Sequence, residues 1–138
     1  MQIRTEGDVV FVKLESGEKV HETILKICDH RGISSGSIEF GIGMLKDYEI
    51  GYFNGKEYEK ITIAENGELL SFHGSIAEND PRLHIHAALA RRDHTAIGGH
   101  LFSATADPLV ELQIRIFSRI RIRREINPKT GLSEISLS

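Results

Sequence analysis

Only one stretch of this chain carries helical spacing. Val20, Ile24, Leu25, Ile27 and Cys28 fall on one side, with Glu18 and Glu22 toward the start, Lys26, His30 and Arg31 toward the end, and Gly32 as a stop. Almost everywhere else, apolar residues alternate or run in short β-branched blocks cut by Gly, Asn and Pro. The expected strands are Val9 to Leu14, Gly36 to Leu45, Tyr48 to Phe53, Tyr58 to Ala64, Leu69 to Ala77, Arg82 to Ala90, Thr95 to Ala104 and Leu109 to Ile116. Asp107-Pro108 marks the start of the last of these, and Arg119 to Glu125 is expected to continue it. A chain so patterned folds as α+β: a sheet with one helix laid on it. At 138 residues, with no repeat or low-complexity tract, it reads as one domain over residues 1–138.

Charge and cysteine content remove several classes of function. The formal net charge is −3, so the molecule as a whole has no pull toward DNA or an anionic membrane. No apolar run approaches the roughly 20 residues of a membrane helix. The start, Met1 to Asp8, lacks a signal-peptide core, and Cys28 is the single cysteine, so the chain reads as cytoplasmic. Cys28 lies on the apolar helix face and reads as a core residue. No serine has a nucleophile-elbow context.

The clearest chemistry lies in three histidines. His84 and His86 are two residues apart in a strand-like segment, so both rings leave one face while Leu83, Ile85 and Ala87 face the core. A polar turn, Arg91 to His94, leads into a segment that brings His100 back beside them. Cross-strand neighbours come within about 5 Å at Cβ, so three imidazoles would converge on one divalent ion, with zinc first among the candidates. The same spacing also suits a solvated polar face or hydrogen-bonded imidazoles. Gly98 and Gly99 would let the backbone pass closely and aim His100. Gly41 and Gly43 read as a bulge or close approach; the lysine of a phosphate-binding loop is absent. His73 and His94 read as ordinary surface or hydrogen-bonded histidines, and His21 and His30 as solvated helix positions. Glu39 and Asp80 would be the carboxylates near such an ion.

Arg82 to Leu89 (RLHIHAAL) followed by Ala96 to Leu101 (AIGGHL) resembles the signature of the plant and prokaryote conserved (PPC) domain. The likeness extends to Leu14 to Glu18, Ser37 to Gly43 and Leu69 to Ile76. It implies an α+β fold with a central, largely antiparallel sheet, a homotrimer, and metal ligands at His84, His86 and His100. The Arg-Gly-Arg-Pro core of the AT-hook in plant members is absent, so that route to DNA does not carry over.

A second surface is basic. Leu112, Ile114, Ile116, Ile120 and Ile122 alternate with Gln113, Arg115, Arg119, Arg121 and Arg123. This would be a solvated face or a surface for DNA. The functional expectations are therefore a metal-binding regulatory or binding module, a DNA-associated protein, or an enzyme using metal-bound water on a small substrate.

Overall fold

The computed structural model of the protein describes residues 1–138. Its elements follow as β1 (Gln2–Glu6), β2 (Val9–Glu15), α1 (Val20–Arg31), β3 (Gly36–Phe53), β4 (Tyr58–Ile63), β5 (Gly67–Ile76), β6 (Leu83–Ala90), β7 (Ala96–Ile116), β8 (Ile122–Ile126) and β9 (Ser133–Leu137). Seven strands form one antiparallel sheet in the order β1-β2-β7-β6-β5-β3-β4, and β3 also pairs with β7. That extra pairing closes β3, β5, β6 and β7 into a ring, so these four leave no free edge among themselves. β8 and β9 form a separate two-stranded sheet. The α+β class and antiparallel sheet match the sequence expectation.

Helix α1 buries Val20, Thr23, Ile24, Ile27 and Cys28. All but Thr23 join Val10, Val12 and Leu14 of β2 and the inward residues of β3, β5, β6 and β7 in one core of 24 buried side chains, which is why the sheet needs the helix stripe. Gly32 ends the helix in the left-handed region at φ 64°, and the Ile33 amide reaches back to the Cys28 carbonyl at 2.8 Å. Gly41 serves as a close-approach position. A Cβ there would lie 2.7 Å from the ring of Phe72, which is buried beneath it.

Two expected breaks are bulges inside long strands. Gly36 to Leu45 and Tyr48 to Phe53 are one strand, β3. Asp47 takes a positive φ of 47°, and the β3–β7 register shifts between Lys46 and Glu49, so the extra residue is absorbed without ending the ladder. Thr95 to Ala104 and Leu109 to Ile116 are likewise one strand, β7. Its partners on β3 jump from Ala106 to Val110, so Asp107 and Pro108 sit where no ladder N–H is required.

The expected continuation of that strand through Arg119 to Glu125 does not occur. The chain bends after Ile116 because Ser35, fully buried, holds both sides of the bend. Its carbonyl accepts from the Phe117 amide at 2.9 Å, and its hydroxyl oxygen accepts from the Ile122 amide at 3.0 Å. The basic row is therefore not continuous. Arg115 pairs with Asp8 at 2.9 Å, while Arg121 and Arg123 both approach Glu78, at 2.5 and 3.6 Å. β1 and β9 lie outside the expected strands; both are short and mostly exposed, so they carry little apolar signal. No helix is long and apolar enough to cross a membrane.

Candidate metal centre

His84 and His86 leave the same face of β6, with fully buried Ile85 between them on the other face. His100 of β7 is the register partner of His86 on one side and of Gly51 of β3 on the other. The strand carrying His100 is thus held along both flanks. Gly98 and Gly99 make that possible. A Cβ on Gly98 would lie 2.5 Å from the Ala87 carbonyl oxygen of β6, and one on Gly99 would lie 2.5 Å from the Gly51 carbonyl oxygen of β3.

The three rings converge. Ring centroids lie 5.0 Å apart for His84 and His86, 5.0 Å for His84 and His100, and 5.6 Å for His86 and His100. One nitrogen from each ring lies within 4.8 Å of the other two, and the Nε2 atoms of His84 and His86 are 3.1 Å apart. Zinc–imidazole bonds of about 2.0–2.1 Å in tetrahedral geometry separate ligand nitrogens by about 3.3 Å. The His84–His86 pair already stands near that spacing, and Nδ1 of His100 is buried without a hydrogen-bond partner. The donor set fits a divalent ion.

Local electrostatics favour neutral, ligating imidazoles. Burial pushes the pKa of His100 down to about 4, helped by charge repulsion from His84, His86, His21 and Lys60. Burial, then His86 and Arg124, lowers His84; burial, then His73, lowers His86. An aromatic wall backs His100. Its ring centroid lies 4.4 Å from that of Phe102 and 5.0 Å from that of Tyr58, and the Lys60 ammonium sits over Phe102 at 3.7 Å.

The histidines stand between two cavities. His84 and His100 line one of about 760 Å³, together with Asp80; His84 and His86 line another of about 430 Å³, together with Glu39 and His73. The two carboxylates singled out in the sequence therefore line different cavities, each beside part of the trio. His73 is exposed, its Nδ1 3.0 Å from the Ser71 hydroxyl. His94 occupies an exposed turn at φ 66°, and His30 is exposed at the end of α1.

His21 corrects the sequence reading. It is half-buried, its Nε2 2.9 Å from the Leu101 carbonyl oxygen, and it lines the larger cavity. The signal was present: three, four and seven residues on stand Ile24, Leu25 and Cys28, so His21 shares their side of the helix. Arg124, also on this cavity, was missed as well. Parity with Ile122 turns it inward in β8.

The sequence model of the Plants and Prokaryotes Conserved (PCC) domain, the PPC domain under its other initials, matches residues 1–118. The chain belongs to the PCC domain family. Among solved structures, this PCC domain resembles a metal-containing protein of Archaeoglobus fulgidus at 29% identity, with a TM-score of 0.85 and 99% of each chain covered. It resembles a candidate DNA-binding protein of Bacteroides thetaiotaomicron at 29% identity and a TM-score of 0.90, over 98% of this chain and 96% of that one. A plant- and prokaryote-conserved protein of Pyrococcus horikoshii is 27% identical with a TM-score of 0.80, over 96% and 93%. No curated protein matches this PCC domain.

Proposed function

We propose that this PCC-domain protein is a single-domain, metal-binding homotrimer that serves as a binding or regulatory module, with His84, His86 and His100 holding one divalent ion, zinc foremost. The observation that carries the reading is the convergence of three neutral-poised imidazoles, two from β6 and one from its partner β7, with donor nitrogens within 4.8 Å. The metal-containing Archaeoglobus neighbour adds support. A divalent ion held by His84, His86 and His100 would supply a Lewis acid at the site. The chain's own part is to fix the rings on two paired strands, keep them unprotonated, and open His84 and His100 to the larger cavity.

Elemental analysis of purified protein tests it. About one equivalent of divalent metal per chain is expected, and loss of that metal in His84→Ala/His86→Ala with the fold retained. Unchanged metal content in that variant overturns the assignment. Light scattering tests the trimer, and a monomeric mass at working concentration refutes it.

DNA association is the second reading, favoured by the description of the Bacteroides neighbour. Arg115, Arg119, Arg121 and Arg123 would carry it. Three of them already face Asp8 or Glu78, so the reading requires those pairs to open. Fluorescence anisotropy with duplex DNA decides: binding with a steep salt slope supports it, and none near physiological salt removes it. The enzymatic variant, metal-bound water acting on a small substrate, would use Asp80 or Glu39 as the neighbouring carboxylate.

A further inference from the structure

Arg124 is the only charged side chain in the buried set, at 6% exposure. Arginines so buried are ordinarily paired, because an uncompensated interior charge is costly. Arg82 has Asp29, Arg115 has Asp8, and Arg121 and Arg123 have Glu78; Arg124 has no carboxylate within ion-pairing distance. Its Nη2 donates to the Ser75 hydroxyl oxygen at 2.7 Å, and its Nε is sealed without a partner. The backbone is clamped in place. The Arg124 amide donates to Asn79 Oδ1 at 2.8 Å, and Asn79 Nδ2 donates to the Arg124 carbonyl at 2.9 Å. The protein thus holds a guanidinium at a fixed point without supplying its counter-charge.

That point lies on the larger cavity, with Ser75, His84 and His100. Leu25, Leu83, Phe102, Leu132 and Ile135 give the same space an apolar lining. Its volume, about 760 Å³, lies within the range of small-molecule sites. The two acidic residues on the lining do not neutralise Arg124. Asp80 and Glu134 are both exposed, and the Glu134 carboxylate accepts from Asn127 and Thr130 in the β8–β9 turn. Leu132, Ile135 and Arg124 all lie beyond residue 118, where the family match ends.

We infer that this cavity binds a small carboxylic acid with an apolar body, its carboxylate pairing with Arg124 and Ser75 and its body lying between the β8–β9 wall and Phe102. One unpaired guanidinium suits a monoanion, since the planar fork matches a carboxylate. The ligand's carboxylate end lies on the His84 side, so the inference deepens the metal-centre reading by naming what reaches it. The Arg124 pairing itself does not require the ion.

The test uses the full-length protein, metal-loaded and chelator-treated, titrated by calorimetry with phenylacetate, hexanoate, 2-phenylethanol, hexan-1-ol and phenyl phosphate. The acids are expected to bind about ten- to a hundredfold more tightly than the matched alcohols, the scale of a hydrogen bond to a charged group. Arg124→Met should erase that preference. Leu132→Trp, which narrows the cavity at its β8–β9 wall and leaves the guanidinium intact, should weaken every probe, and it serves as the test if Arg124→Met does not fold. Acids no tighter than alcohols, phenyl phosphate bound in preference, or acid binding insensitive to Leu132→Trp overturns the inference. Protein that takes up no metal yet binds acids through Arg124 would sink the metal centre and leave this site standing. Metal uptake without acid binding would do the reverse.

Discussion

Replacing Gly99 with alanine tests whether close strand approach places His100. The new Cβ would stand 2.5 Å from the Gly51 carbonyl oxygen, where ordinary contacts begin at 3.4 Å. The obstacle is backbone, so no side chain can swing aside. β7 must retreat from β3 by about 0.9 Å at this pair, or the bond register there must break. Overpacking of this kind costs about 1–3 kcal/mol. The same retreat moves His100, the next residue, against a site that tolerates only about 0.5 Å of misplacement. His84 and His86 stay on β6 and keep their 3.1 Å spacing, so two ligands remain while the third is displaced. Metal affinity should therefore fall about ten- to a hundredfold, comparable to the loss of an outer-shell support. Urea unfolding of the metal-free protein and chelator competition on the loaded protein measure the two effects separately. A Gly99→Ala protein with unchanged stability and unchanged affinity would refute the argument that this glycine sets the ring's position.

Three further outcomes follow from the structure. In the metal-free protein, the unfolded chain takes up protons at its histidines near pH 6.5, whereas folded His100 resists until about pH 4. The unfolded state binds more protons across that window, so stability should be flat above 6.5 and decline as pH falls toward 4; a stability profile flat through that range would contradict the burial of His100. Ile85→Ala should cost about 3 kcal/mol in urea unfolding, since Ile85 is fully buried between the two ligand positions; a loss under about 1 kcal/mol would mean the core side of β6 is not packed as described. Amide exchange should be slower in β6 and the His100 region of β7 than in β9, because the former are paired within the closed ring and the latter is the outer strand of a two-stranded sheet; equal protection would count against that division.

The histidine trio was legible because it depends on two short-range rules. Alternation puts His84 and His86 on one face, and a polar turn folds His100 back beside them. The length of the strands was not legible. Asp47 and the Asp107-Pro108 pair look like breaks in a one-dimensional pattern, but a partner strand can bridge a bulge, and that partner is distant in sequence. The bend after Ile116 was hidden for a related reason. Alternation persists through Ile122, yet the turn is fixed by Ser35, which stands 82 residues earlier than Phe117. His21 and Arg124 were passed over because a charged or titratable residue in a polar stretch is ordinarily solvated. Periodicity alone placed both of them inward.

These two oversights meet at the same place. The larger cavity has one wall made by β5, β6 and β7 with His21 and Leu25 of α1 and Tyr58 of β4, which the family match covers, and another made by the β8–β9 sheet, which it does not. The first wall supplies imidazoles held unprotonated by burial. The second supplies a permanent cation, which a histidine at that depth would not remain. An ion on the trio and the guanidinium on the His84 side would both be positive, so the cavity has no internal anion to satisfy them apart from exposed Asp80 and Glu134 at its lining. A protein that needed only a structural ion would gain stability by placing an apolar residue at position 124. Retaining a buried, unpaired arginine there is costly unless something negatively charged arrives from outside.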